Sequence, residues 1–459
     1  MVGPSGLNTG QDDEQEKVEE NHYARHLARI NETNEVSSSE DIVTANGVLL
    51  CRKGTPITNK LADRIVRHKL VKPLEEQVVI ANSLDGEALC GMCQGLLEKY
   101  PDLGQIHDSQ KFKVECKELF TGQALHPTLI QKFTVLKQQR PKDLDKGIFS
   151  GWMAALIARE MGLDKENIYA AFIAGLTHDI GFIHLDPDML SKTGEFTPEE
   201  WRALQSHVIV GQKILESIPD LPPQSARAVL EHHERCDGSG YPAGKTDEKL
   251  TVLGQIVGIA DSIQAIRINQ FEKNGRNLRD LLPYLQMNSK THFYEVYEAT
   301  SGILRVSGLK PTALPLDGDV ASFAQTLHGR CQALKDAVEI LMQRQILALA
   351  QRISEGRGGQ AMFKVTDHIL MMTAQSGLLS DDLFSWLTGL DIALDDSNET
   401  LNELYEIELM INELYWQLNN AVRVFKVFYE QECVEGSDEY NNLKGITDDL
   451  RVCLQKCKK

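Results

Sequence analysis

The alternation of apolar and polar residues predicts a mainly helical chain. Apolar residues recur every three or four positions, a period that places one face of a helix against a core. Four such stretches lie in the middle of the chain, at residues 149–161, 167–177, 225–233 and 253–268. Two longer amphipathic stretches, 327–353 and 401–428, predict further helices toward the C-terminus.

Local signals refine this picture at two places. Residues 47–51 form an apolar run typical of a strand, and a Gly54-Thr55-Pro56 turn separates them from a helical pattern at 59–69. A capping-box sequence, Thr197 to Glu200, predicts the start of a helix that carries His207 nearly three turns later. We therefore expect a small α/β module followed by a helical core.

Changes in composition divide the chain into four predicted regions. Residues 1–40 are polar and acidic without hydrophobic periodicity, which is typical of a disordered tail. Residues 41–139 form an N-terminal regulatory module, 140–315 the core domain and 320–459 a C-terminal helical region. The C-terminal helices either close into a bundle or provide a homodimer surface, and the pattern leaves both open.

Composition and charge exclude several classes of protein. Of the 459 residues 42% are hydrophobic and 25% are charged, as in ordinary globular proteins. The net charge of −18 disfavours binding of a nucleic acid polymer, which needs Lys and Arg to neutralise phosphates. No apolar run of about 18 residues predicts a membrane span, and the acidic N-terminus lacks the features of a signal peptide. A cytoplasmic location is expected.

Six potential metal ligands occur in one stretch of the chain. They are His178, Asp179, His207, His232, His233 and Asp261. Imidazole and carboxylate groups are the usual protein ligands of iron, manganese and zinc. The clusters are separated by 28, 25 and 28 residues, about one helix and its connection each. This spacing suits a bundle whose helix ends meet at one pocket, and two bridged ions there can hydrolyse a phosphoester.

At these residues the chain resembles the HD-GYP family of metal-dependent phosphohydrolases. The matching runs are THDIG at residues 177–181, KTG at 192–194, HHERCDGSGYP at 232–242 and Ala260-Asp261. The match covers roughly residues 144–270, and its 232–242 block is the most specific part. The resemblance implies an HD-type helical bundle that hydrolyses cyclic-di-GMP to a linear dinucleotide or to GMP. It also implies two divalent metal ions, iron or manganese.

The resemblance further implies a role for each candidate ligand. Asp179 bridges the two ions and is the catalytic residue. The three histidines of residues 207–233 complete the shell of one ion, while His178 and Asp261 serve the other. A water activated by both ions would attack phosphorus.

A second set of residues is expected to bind the substrate. It comprises Arg235, Gly238, Gly240, Tyr241, Pro242 and Lys273. The glycine-rich loop would shape the pocket for the cyclic dinucleotide. Arg235 and Lys273 are either phosphate contacts or solvated surface charges.

The chain departs from the family pattern after Asp261, where the usual Arg-Pro-Tyr-Arg run is missing, and at two positions near the candidate ligands. Phe182 stands where the family usually has a Lys, and Phe149 stands where it usually has a further His ligand. Loss of a charge-stabilising group lowers turnover, so a second function stays open. In that alternative the chain is a catalytically weak receptor or adaptor that binds cyclic-di-GMP or signalling proteins.

Overall fold

The computed structural model describes residues 22–192, 196–236, 238, 240–246, 249–289, 292–312, 319–343, 357–390 and 398–457. Helices dominate these ranges, and the strands among them are four and short. The predicted mainly α fold class is therefore confirmed. Within the described ranges, no helix combines the length and apolar character that crossing a bilayer requires.

The N-terminal part of the chain mixes helices and strands. In order they are α1 (Tyr23–Ile30), β1 (Val36–Ser38), β2 (Ile42–Val43), β3 (Leu49–Cys51), α2 (Asn59–Val66), β4 (Val78–Ile80), α3 (Gly86–Lys99), α4 (Pro101–Ser109), α5 (Lys113–Thr121) and α6 (Pro127–Gln139). β1 pairs antiparallel with β4, with Val36 opposite Ile80. β2 pairs antiparallel with β3, with Ile42 opposite Cys51.

The rest of the described chain is helical. The central helices are α7 (Pro141–Glu160), α8 (Lys165–Thr177), α9 (Pro187–Leu190), α10 (Pro198–Gln205), α11 (His207–Glu216), α12 (Pro223–Glu231), α13 (Val252–Ile266), α14 (Glu272–Asn274), α15 (Leu282–Met287) and α16 (Tyr294–Val306). The C-terminal helices are α17 (Val320–Gln343), α18 (Arg357–Ser376), α19 (Asp381–Gly389), α20 (Asn398–Glu432) and α21 (Asp438–Cys457).

The chain divides into two compact units, and the first is assembled from three separate segments. It contains residues 1–84, 126–141 and 182–204. At its centre Lys132 is 1% exposed, and its Nζ donates to Glu75 Oε1 at 2.7 Å. The same Nζ lies 2.8 Å from Nε2 of His184, whose ring stacks on Tyr23. His184, which lies outside the metal-binding motifs, is thus part of a buried polar cluster.

The second unit contains residues 85–125, 142–181 and 205–459. Within it α8, α12 and α13 pack against one another, and α11 packs against α12. The Asp164 side chain caps α8 by accepting from Asn167 N at 2.8 Å. Gly175 lets α8 cross α7 closely, since a Cβ there would lie 2.5 Å from the Ser150 carbonyl oxygen. This crossing fixes the end of α8, which carries the first ligand pair.

The C-terminal helices of the second unit bury their apolar faces against one another. α17, α20 and α21 pack together, and α18 packs against α20. Fully buried residues of this core include Leu334, Ile369, Leu414, Phe425 and Leu450. The described part of this region therefore forms a bundle, one of the two predicted alternatives. α18 and α20 also pack against α15, which links the bundle to the central helices.

Three sequence predictions need correction. The tail was predicted to be disordered to residue 40, but α1 and β1 lie at 23–38, and Tyr23, Leu27 and Ile30 are buried at helical spacing. Residues 1–21 lie outside the described ranges. The predicted module at 41–139 is divided, because 85–125 and 126–141 fall in different units, and the nearest unit boundary to the predicted 139/140 lies at 141/142.

The third correction concerns the helix that was predicted to carry His207. The capping box forms as expected, with Glu200 N donating to Thr197 Oγ1 at 3.2 Å and Thr197 N to Glu200 Oε2 at 2.7 Å. α10 nevertheless ends at Gln205, and His207 begins a new helix, α11. The break at Ser206 places His207 at a helix start.

Candidate metal centre

Helix termini supply most of the predicted ligands. His178 follows the last residue of α8, His232 follows the last residue of α12, and His207 is the first residue of α11. Asp261 lies within α13. A side chain at a helix terminus can reach a common point without the neighbouring turns crowding it.

Four of the six predicted ligands form one tight group. Asp179, His207, His232 and His233 each offer a ligand atom, and these atoms all lie within 4.8 Å of one another. This is the set assigned to a single ion from the sequence. One carboxylate and three imidazoles form a donor set that suits borderline divalent metals.

The remaining two ligands lie beside this group. His178 Nε2 is 3.3 Å from Asp179 Oδ2 and 3.4 Å from Asp261 Oδ1. On its other side Asp179 presents Oδ1 to His207 Nε2 at 3.5 Å. The structure therefore brings all six predicted ligands together, with Asp179 between the two subsets.

Backbone carbonyls orient two of the histidine rings. His178 Nδ1 lies 2.8 Å from the Gly175 carbonyl oxygen, and His232 Nδ1 lies 2.7 Å from that of Val229. A carbonyl only accepts, so Nδ1 carries the proton in each neutral ring and Nε2 keeps its lone pair. This is the usual way in which a protein orients a histidine toward a metal.

The arrangement fits a bound metal ion. His232 is fully buried, and its Nε2 has no hydrogen-bond partner within the part of the chain that the structure describes. A buried lone pair without a donor is costly unless something positive fills the space before it. A divalent cation between the four side chains would satisfy this requirement.

Burial and neighbouring charges shift the pKa values across the site. Burial, reinforced by His233 and His178, holds the pKa of His232 well below its usual value. Burial also lowers the pKa of His233 to about 3. Burial opposes ionisation of Asp179, but His178 outweighs it and holds the pKa of that carboxyl well below its usual value. The site thus presents neutral His232 and His233 beside an ionised Asp179. Burial opposes protonation of His178, but Asp179 and Asp261 outweigh it and hold the pKa of that imidazole well above its usual value. Binding of a metal ion by His178 would therefore release a proton.

Two buried glutamates hold the loop that follows His233. Glu234 Oε1 accepts from Ala243 N at 2.8 Å, and its Oε2 accepts from Lys245 N at 2.9 Å. Glu231 Oε2 accepts from the backbone N and the hydroxyl of Thr251. Neither glutamate was predicted as a site residue. The sequence does mark them, because an acidic residue flanks the His232-His233 pair on each side.

The predicted substrate residues differ in their positions. Gly240, Tyr241 and Arg235 line a cavity of about 730 Å³, while Gly238 and Pro242 do not. Tyr241 stacks on His233 with ring centroids 4.6 Å apart. Asp237 and Ser239 of the same loop lie outside the described residues, as do Thr193 and Gly194 of the KTG run.

Of the two cationic residues predicted to bind the substrate, Arg235 lines the cavity and Lys273 does not. Arg235 Nη1 donates to the carbonyl oxygens of His232 and Glu234, and its Nη2 donates to Ser262 Oγ. Arg235 therefore braces the ligand-bearing loop as well as lining the cavity. Lys273 is exposed on α14 and is not among the lining residues.

Phe149, at the position of the family's further ligand, is fully buried. The guanidinium carbon of Arg267 lies 5.4 Å from its ring centroid. Phe182, at the position of the family's Lys, lies in the first unit, and Arg140 stands 5.7 Å from its ring centroid. Neither side chain can act as a ligand.

The cavity extends from the metal centre to the C-terminal bundle. Its central wall includes Tyr284, Asn288 and Tyr297. The polar and aromatic residues of its C-terminal wall are His368, Glu413, Trp416, Gln417 and Asn420, and Val365 lies beside them. None of these residues was predicted, because polar residues on a long amphipathic helix give no signal that they face a cavity.

Comparison with known proteins places the same residues in a recognised domain. Residues 127–295 match the family model described as HD domain. The chain is 35% identical over 151 residues to a protein of Thermotoga maritima named cyclic di-GMP phosphodiesterase. The aligned segment covers 32% of this chain and 41% of that protein. It is 23% identical over 261 residues to a cyclic di-GMP phosphodiesterase of Pseudomonas aeruginosa, with 56% and 62% covered.

A relative named for a different substrate matches as well. The chain is 34% identical over 114 residues to 3'3'-cGAMP-specific phosphodiesterase 1 of Vibrio cholerae, with 24% of this chain and 25% of that protein covered. The resemblance drawn from the sequence is confirmed. The matches span less than two thirds of the length of each of these three relatives.

Proposed function

We propose that the protein is a metal-dependent phosphodiesterase for cyclic-di-GMP, since its residues 127–295 match the family model described as HD domain. The products would be the linear dinucleotide or GMP. The observation that supports this most is the convergence of Asp179, His207, His232 and His233 on one point beside a cavity. The names of the relatives support the same substrate class.

The residues of the cluster would hold two divalent ions, iron or manganese. Asp179 has one oxygen toward His178 and the other toward His207, which suits a bridging carboxylate. When bound, such ions polarise a phosphodiester and lower the pKa of a water nucleophile. The chain itself keeps His232 and His233 neutral and Asp179 ionised, and the Nδ1 contacts hold His178 and His232 in place.

The cavity would hold the substrate next to this cluster. Its volume of about 730 Å³ lies within the range of pockets that enclose small ligands. His233 and Tyr241 form its wall at the metal centre, so a phosphate in the cavity would lie beside the ligands. The stacked Tyr241 ring shields His233 from solvent on one face.

The alternative function, a catalytically weak receptor, is favoured by one specific observation. Phe149 is fully buried and Phe182 carries no charge, so neither can replace the His and Lys of the family pattern. A phosphodiesterase without those groups would keep its affinity for the dinucleotide and lose part of its rate. The two functions therefore share a site and differ in turnover.

The test is anaerobic purification of the full chain, elemental analysis and a cyclic-di-GMP hydrolysis assay with iron or manganese. His232→Ala removes a ligand, and His68→Ala removes an exposed histidine as the matched control. We expect about two ions per chain, and turnover that is lost in His232→Ala and kept in His68→Ala. Binding of cyclic-di-GMP without turnover would establish the receptor, and absence of metal, binding and turnover would refute both.

A further inference from the structure

The wall of the cavity opposite the metal centre comes from a region outside the matched HD domain. α18 contributes His368, and α20 contributes Glu413, Trp416, Gln417 and Asn420. The domain match ends at residue 295, so these side chains are an addition by this chain to the HD core. Any ligand that fills the cavity must contact them.

Glu413 is the buried charge of this wall. It is 7% exposed, and its Oε1 accepts from Asn288 Nδ2 at 3.0 Å and from Gln417 Nε2 at 2.9 Å. Across the described residues, no donor reaches its Oε2 and no Lys or Arg pairs with it. Burial raises the pKa of Glu413, while the hydrogen bonds from Asn288 and Gln417 and the nearby His368 oppose that shift and favour the ionised carboxylate.

A carboxylate held in this way complements two adjacent N–H groups. The Watson–Crick edge of guanine presents N1–H and the N2 amino group side by side, and a carboxylate can accept from both. Adenine presents an acceptor and a donor there, which an ionised carboxylate cannot match. Recognition of that edge by polar side chains is the usual way in which proteins read an unstacked base.

Trp416 offers a stacking surface next to this acceptor. It lies one helical turn from Glu413 on α20, lines the same cavity and is 50% exposed. A half-exposed indole on a cavity wall is available to the face of a flat ligand, and bases stack on such rings with little dependence on sequence. The wall thus pairs a guanine-selective acceptor with an aromatic surface.

We propose that Glu413 and Trp416 form a guanine-base subsite, by which the C-terminal helical region selects guanine-containing cyclic dinucleotides. The inference rests on the proposed function, because it assigns the far end of the same cavity. Guanine is present twice in cyclic-di-GMP and once in 3'3'-cGAMP, so the subsite accepts either and rejects cyclic-di-AMP.

The experiment measures affinities of the metal-loaded full chain for GMP and AMP, followed by cyclic-di-GMP and cyclic-di-AMP, by titration calorimetry. Glu413→Gln is compared with Glu403→Gln, which removes the same charge from an exposed position of α20. A Gln amide has one acceptor and one donor, so it matches the N1 and N6 edge of adenine and lacks the second acceptor oxygen for guanine N1–H and N2. We expect Glu413→Gln to lower the preference for GMP over AMP about 5- to 150-fold, and Glu403→Gln to leave it unchanged.

Trp416→Ala should lower the affinities for GMP and for AMP about 5- to 150-fold each without changing the ratio of the two affinities. Trp416→Phe should recover part of the lost affinity. A wild-type chain that does not distinguish GMP from AMP, or a ratio unchanged in Glu413→Gln, would overturn the subsite even if hydrolysis is confirmed. A Glu413-dependent GMP preference in a chain that hydrolyses no cyclic dinucleotide would uphold the subsite and refute the phosphodiesterase alone.

Discussion

Replacing Gly258 by Ala should loosen the candidate metal centre without replacing a ligand side chain. Gly258 lies one turn before Asp261 on α13, and a Cβ there would lie 2.5 Å from the His232 carbonyl oxygen. Ordinary Cβ contacts begin at 3.4 Å, and contacts of 3.0 Å are already rare. The α13 backbone must therefore move about 0.5–0.9 Å away from the His232 loop.

The size of that movement sets the expected effect. Ligands must be held within about 0.5 Å of their productive positions, so Asp261 would be displaced by as much as the site tolerates or more. We expect metal affinity to fall about 10- to 100-fold, as when a group that supports a metal ligand is disturbed. Overpacking costs about 1–3 kcal/mol, and the better helix propensity of Ala offsets up to about 1 kcal/mol.

Competition with a chromophoric chelator gives the metal affinity, and thermal unfolding gives the stability. Gly95→Ala is the matched control, because Gly95 is exposed within α3 and has nothing within 4 Å of an added Cβ. That variant should keep its metal and unfold at the same temperature or slightly above. If Gly258→Ala binds metal as tightly as the wild type, the packing of α13 on the His232 loop does not set the ligand spacing.

Three further predictions concern stability. Burial lowers the pKa of His26 to about 4 and that of His184 to about 3, so at these two residues only the unfolded chain takes up protons as the pH falls from 7.5 to 5.5. Each residue should then lower the free energy of unfolding by about 1.4 kcal/mol, seen as a lower unfolding temperature, and an unchanged temperature would contradict this. Glu75→Ala leaves Lys132 buried without its carboxylate and should cost about 3–5 kcal/mol in denaturant unfolding, whereas a loss below about 1 kcal/mol would show that the pair contributes little. Phe425→Ala opens a cavity in the C-terminal bundle and should lower the free energy of unfolding by about 3–5 kcal/mol in denaturant unfolding. A smaller loss would show that the neighbouring helices move in to fill the cavity.

The residues of the candidate metal centre could be predicted from the sequence because their chemistry is restrictive. Few residue types bind borderline metals, and spacings of one helix and one connection allow His178 and Asp261 to meet across the bundle. Capping signals such as Thr197 with Glu200 are equally local, and the structure forms them as expected. The end of α10 at Gln205 was missed, since no Gly or Pro marks the break.

The sequence by itself determined the helical fold class, since periodicity and capping act within a few residues of one another. It also named the candidate ligands, since few residue types bind borderline metals. Only the tertiary structure decided that segments 126–141 and 182–204 join the N-terminal unit, because packing between distant segments leaves no local pattern. The same holds for Glu413 and Trp416, which lie on an amphipathic helix more than 150 positions beyond Asp261. Whether these two side chains face the cavity depends on how α20 packs against α15. That packing is a long-range contact, which buried hydrophobic area and shape complementarity determine together.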